Sequence, residues 1–208
     1  TFGTSGPRIR IRFFAGYGFP DNLLDTSDGV ARAYADGVTM GADLSPDMAD
    51  EQISADGAPK FAVWAQADAD SAPLQRLQII KGWIDVEGKT HERVIDVACA
   101  GGVAVDPRTN RCPDNGATVD LGDCSTSADT GASELRTVWT DAEFDANQRS
   151  FYYARVLENP TCRWNTWDAL YAGTQPRSDL AATLQERAWS SPIQYHPADQ
   201  SAKDVMGD

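Results

Sequence analysis

Leu74-Gln75-Arg76-Leu77-Gln78-Ile79-Ile80-Lys81-Gly82-Trp83-Ile84-Asp85-Val86 decides the fold class of this chain. Its apolar residues Leu77, Ile79, Ile80, Trp83 and Ile84 fall on both faces of an extended backbone. That is the pattern of a central strand, covered on two sides. Glu87-Gly88-Lys89 follows as a turn, and residues 90–99 read as the returning strand of a hairpin.

Working outward, residues 60–67 form a strand with Phe61, Val63 and Trp64. Residues 8–14 alternate Arg8, Arg10 and Arg12 with Ile9, Ile11 and Phe13, the period of a half-buried strand. Further strands are expected at residues 134–140, 151–158 and 187–195. Helix is scarce. Residues 27–34 suit a short one, with Ser27 as N-cap, Asp28 in the first turn, and Val30, Ala31 and Tyr34 on one face. Thr140 and Glu143 have capping-box spacing, which predicts a helical turn or two over 141–147. Residues 41–59 read as connecting loop. Residues 101–131 form a long loop holding two cysteines and a short strand at 118–121. The sum is a mainly β chain: an antiparallel β-sandwich, immunoglobulin-like in strand count, with few short helices.

The bulk numbers exclude several classes. With 208 residues and 41% hydrophobic side chains, the chain can bury a real core. Its net charge of −13, from 31 acidic and 18 basic residues, repels nucleic acid and anionic membranes. No apolar run reaches the ~20 residues of a membrane span. Residue 1 is Thr, not Met, so the expected start lies upstream.

Four cysteines, Cys99, Cys112, Cys124 and Cys162, include no Cys-x-x-Cys pair, and zinc spacing is poor. Two disulfides in an oxidising compartment are expected, periplasmic or secreted, with free buried thiols as the alternative. All three connectivities stay open.

Reaction chemistry is sparse. His91 and His196 are the only imidazoles, one at a strand start and one in the tail. Gly-x-Ser-x-Gly and the phosphate loops are absent, and Thr4-Ser5-Gly6 reads as a strand-end turn. No residue is assigned a catalytic or metal-ligating role. Asp68 and Asp70, and Asp106, Asp114, Asp120 and Asp123 around the cysteine loop, are expected as solvated turn residues. A structural calcium ion is the rival use of those oxygens. Trp164, Trp167 and Tyr171 recur at helical spacing, which favours core packing of a short helix. The competing use of Trp164 and Trp167 is an exposed surface that stacks on sugar.

Five stretches carry a resemblance. They are Thr4-Ser5-Gly6-Pro7-Arg8-Ile9-Arg10 with Arg12-Phe13-Phe14, then Gly37-Val38, Met40-Gly41 and Asp43-Leu44, and Leu77-Gln78-Ile79-Ile80-Lys81-Gly82-Trp83. Phe151-Tyr152-Tyr153-Ala154-Arg155-Val156-Leu157-Glu158 and Glu186-Arg187-Ala188-Trp189-Ser190-Ser191-Pro192-Ile193 complete the set. Together they resemble the C-terminal region of the bacterial family called domain of unknown function 3604. That family is grouped with the PHP (polymerase and histidinol phosphatase) superfamily of metal-dependent phosphoesterases. The resemblance implies an upstream α/β barrel that holds the divalent metal and acts as the partner of this chain. Residues 1–45 would then connect from that barrel, residues 46–195 would form a sandwich-like accessory domain, and residues 196–208 a flexible tail. The implied function is the accessory, non-catalytic part of a hydrolase. The alternative is an envelope- or carbohydrate-binding module.

Overall fold

The computed structural model describes residues 1–48, 57–127 and 129–198. Its elements, numbered along the chain, begin with β1 (Phe2–Thr4), β2 (Arg10–Gly16), α1 (Gly29–Ala35), β3 (Val38–Thr39) and β4 (Asp43–Leu44). Next come β5 (Lys60–Gln66), β6 (Leu74–Ile84), β7 (Thr90–Cys99), β8 (Glu134–Thr140) and β9 (Ser150–Glu158). Then follow β10 (Thr161–Cys162), α2 (Trp164–Ala172), β11 (Thr183–Leu184), β12 (Arg187–Ser190) and β13 (Ile193–Tyr195).

The long strands stand where the pattern placed them. β6 is central as its two-sided apolar run requires, with β7 on one edge and β9 on the other. Across β9, the segment 187–195 pairs as two pieces, β12 and β13. Pro192 has no N–H to give a ladder, so the strand breaks at Ser191-Pro192. The break lets β12 pair with β1 and β13 pair in parallel with β4. A second, antiparallel sheet runs β3-β2-β5-β8. Residues 1–45 thus supply strands to both sheets. No closed barrel forms among the described residues.

The sheets face each other across one core. Ile11, Phe13, Phe61 and Val63 of one sheet meet Leu77, Ile79, Tyr152 and Ala154 of the other. Phe61 and Tyr152 pack with ring centroids 4.2 Å apart. The outer face of β2 and β5 is covered as well: Phe14 and Ala62 lie under Leu23, Leu24 and Ala33.

Three local expectations fail. α1 starts at Gly29, and neither Ser27 nor Asp28 caps it with a side chain. Residues 141–147 form turns, not helix. The Asp141 carboxylate accepts the Glu143 N–H, and Asp145 accepts that of Asn147, so each aspartate supplies a local alternative to helical bonds. The strand expected at 118–121 shrinks to a single bridge between Val119 and Thr126. Asp120 and Asp123 turn the chain at once by accepting the N–H of Gly122 and Ser125. Part of the loop expected at 41–59 and most of the tail at 196–208 lie outside the described residues.

Candidate functional site

Side chains alternate along β6, so Lys81 and Trp83 share the inward face of Leu77 and Ile79. The apolar core ends at Ile79, and Lys81 closes it. Lys81 Nζ donates to Asp141 Oδ2 at 2.5 Å and to the Glu143 carbonyl at 3.0 Å. Tyr152 Oη donates to the same Asp141 oxygen at 2.7 Å. The Lys81 and Asp141 side chains are only 6% and 4% exposed. Burial, followed by the Asp141 charge, pushes the Tyr152 hydroxyl up from its ordinary range. Arg93 pairs with Glu143 and holds that carboxyl below the usual range. A cleft of ≈ 250 Å³ lies over this cluster, walled by Trp83, Trp139 and Gln148.

Beyond Trp83 a second and larger groove, ≈ 490 Å³, opens at the sheet's end. Cross-strand register sets His91 and Ser150 on either side of Trp83, and Tyr195 beyond Ser150. The Trp83 and His91 rings stack at 5.2 Å with planes 15° apart. His91 Nε2 lies 2.6 Å from Asp85 Oδ2, and this contact is the main reason the Asp85 carboxyl is held low. Across the groove, Arg149 Nε donates to His196 Nδ1 at 3.2 Å. On the adjacent outward row the Phe151 ring lies over Gly82, where a Cβ would sit 2.3 Å from it. Sequence reasoning dismissed both histidines, yet the fold puts them on one groove. The available signal was Lys81 and Trp83 at inward positions just past the apolar run.

The residues singled out in the sequence sit elsewhere. The cysteines pair as Cys99–Cys112 and Cys124–Cys162, and no free thiol remains among them. Trp164 and Trp167 lie on α2 as the spacing predicts, but core packing is not their role. Trp164 is 58% exposed, Trp167 38% and Tyr171 84%. The helix buries Asn165, Thr166 and Ala169 instead. Trp167 stacks on Tyr171 at 5.9 Å. Asp68 and Asp70 bind Arg8. Asp106 and Asp114 accept the N–H of Arg108 and Gly116 in the same turn geometry as Asp120 and Asp123. Among the described residues no three His, Cys, Asp or Glu side chains converge to hold a metal ion. They offer no seat for the divalent metal that the resemblance implies. Ser5 Oγ binds Glu186 and the Arg187 backbone, which ties β1 to β12.

Glu158 is fully buried; Ser71 Oγ donates to one oxygen at 2.6 Å and the other has no partner among the described residues. Burial pushes its carboxyl up to about 7. Between pH ~4.5 and ~7 the folded chain therefore holds a proton that the unfolded chain has lost. This group's contribution to stability falls as pH rises through that window. Glu158→Gln keeps an acceptor for Ser71 and removes the charge. The variant should be more stable than the native chain by roughly 2 kcal/mol at pH 8 and equal to it near pH 4. Denaturant melts across that range check the prediction, and a pH-independent difference would refute it.

No helix among the described residues is long and apolar enough to cross a membrane. No curated protein and no solved structure matches the chain. Residues 1–197 match the family described as Protein of unknown function (DUF3604), and the chain belongs to that family.

Proposed function

We propose that this chain is the C-terminal accessory part of a metal-dependent, phosphoesterase-type hydrolase of the PHP kind, and that it does not catalyse alone. In this reading the two sheets form a sandwich that buttresses an upstream α/β barrel, with residues 101–131 and the Trp164–Trp167 turn bordering the barrel's mouth. The observation that carries it is the use made of the buried charges. Lys81 and Asp141 hold each other, Asp96 is bound by Gln78, Arg111 and the Cys112 N–H, and Glu158 is bound by Ser71. Each joins two segments of the frame, as structural groups do. The two disulfides suit the periplasm or the exterior.

The test is elemental analysis of the longer polypeptide and of these 208 residues alone. Stoichiometric divalent metal and phosphoesterase turnover are expected only in the longer protein. Turnover by this chain, lost when one of its own side chains is replaced, would refute the reading.

A second reading is an envelope- or carbohydrate-binding module. The exposure of Trp164 and Trp167 favours it. Binding of envelope glycans that is lost in Trp164→Ala or Trp167→Ala would support it.

A further inference from the structure

The outer face of the larger sheet, turned away from the core and from Lys81, carries a surplus of arginine. Asp96, Gln78 and Arg155 share one row across β7, β6 and β9. Gln78 Nε2 donates to Asp96 Oδ1 at 2.6 Å, and Arg155 Nε donates to Gln78 Oε1 at 2.7 Å. In the next row Arg76 of β6 and Arg187 of β12 stand on either side of Leu157 of β9. Arg155 is two residues from Leu157 and therefore on the same face. Arginines from three strands thus surround one leucine, which is buried. Adjacent strands lie about 4.8 Å apart, so the Arg76 and Arg187 backbones are separated by about 10 Å, within reach of two such side chains closing on one ion.

Carboxylates are scarce around this cluster. Asp96 reaches it, but its oxygens already take Gln78, the Cys112 N–H and Arg111, and Arg76 Nε stands 3.9 Å away. The next acidic residue of β7 on this face, Glu92, is two rows further along, opposite Gly82. Amide oxygens hold the arginines instead. Arg76 binds Gln75 Oε1, and Arg187 donates through Nε and Nη2 to the Gln185 carbonyl at 3.1 and 3.0 Å. Gln185 Nε2 donates in turn to Gln75 Oε1 at 2.8 Å, which links the two supports. Such acceptors orient a guanidinium without cancelling its charge. Arg76 Nη2, Arg187 Nη1 and both terminal nitrogens of Arg155 donate to no group among the described residues. Elsewhere Arg8, Arg93, Arg136 and Arg177 each hold a carboxylate. Burial is the main reason that the Arg76 guanidinium is held below its ordinary range; Asp96 opposes this, and the charges of Arg111, Arg155 and Arg187 add to it.

The chain's net charge of −13 is screened beyond about 8 Å, so nearby groups decide what can bind here. A planar carboxylate is satisfied by a single guanidinium fork, whereas a tetrahedral oxyanion has oxygens for forks arriving from three strands. We propose that Arg76, Arg155 and Arg187 bind a phosphoryl or sulfuryl group on the outer face of this sheet. The site does not rest on the accessory-domain reading.

Calorimetric titration of the native chain at low salt with pyrophosphate, inorganic phosphate, sulfate and malonate tests the assignment. Saturable binding of pyrophosphate is expected, and phosphate or sulfate should bind more tightly than the dicarboxylate malonate. The order of phosphate and sulfate then says which group the site is built for. Arg155→Gln and Arg187→Gln should each weaken binding about tenfold, while Arg136→Gln and Arg177→Gln, at arginines already paired, leave it unchanged. Glutamine keeps part of the aliphatic stem, and two separate variants keep the test decisive if one of them unfolds. No saturable binding of pyrophosphate below about 10 mM would overturn the proposal. So would native affinity in folded Arg155→Gln or Arg187→Gln, tighter binding of malonate, or equal weakening in the Arg136 and Arg177 variants.

Discussion

Reducing both disulfides should lower the stability of this chain by about 7 kcal/mol, enough to bring an ordinary domain to the edge of unfolding. The Cys99–Cys112 bond closes a loop of 13 residues and Cys124–Cys162 one of 38. Loop-closure entropy assigns about 3 and about 4 kcal/mol to them, respectively. The loops do not overlap in sequence, so the two effects should nearly add. Their partners differ. The first loop is also held at Asp96, which accepts the Cys112 N–H at 2.7 Å and binds Arg111. The second ties the irregular residues 101–131 to β10, just ahead of α2. Cys124→Ser with Cys162→Ser should therefore cost more than Cys99→Ser with Cys112→Ser. Guanidinium melts with and without reductant read both effects. Coincident midpoints would show that the bonds do not stabilise the fold.

Lys81→Met should cost about 3–5 kcal/mol, because it leaves the buried Asp141 charge without its cation. The Tyr152 hydroxyl alone cannot replace an ammonium at 2.5 Å. Adding Asp141→Asn should recover much of the loss, since a neutral amide still accepts from Tyr152. The double-mutant cycle should then show coupling of about 2 kcal/mol or more. A single-variant loss below about 1 kcal/mol, or strict additivity, would mean that water already screens the pair.

Much of the fold was legible in the sequence because strand alternation is a local property. Ile9, Ile11 and Phe13 face inward and Arg8, Arg10 and Arg12 outward, as a period of two demands. Turns governed by aspartate were harder to read. Thr140 and Glu143 have the spacing of a helix start, yet Asp141 and Asp145 accept hydrogen bonds from the backbone two residues on and hold the segment in turns. The α2 aromatics failed for a related reason. Helical spacing says which residues share a face, not whether that face meets the core; here the buried face is the polar one of Asn165 and Thr166.

Local pattern, then, determined the β class, the hairpin at residues 74–99, the place of α2 and the presence of enough cysteine for two crosslinks. Tertiary structure alone decided the cysteine pairing, the split of the last strand between β1 and β4, and the groove that joins His91 to His196. Those features depend on which distant segments become neighbours. Contacts between residues 85 and 91 can be guessed from a hairpin, but one between residues 149 and 196 exists only once β9 lies between β6 and β13.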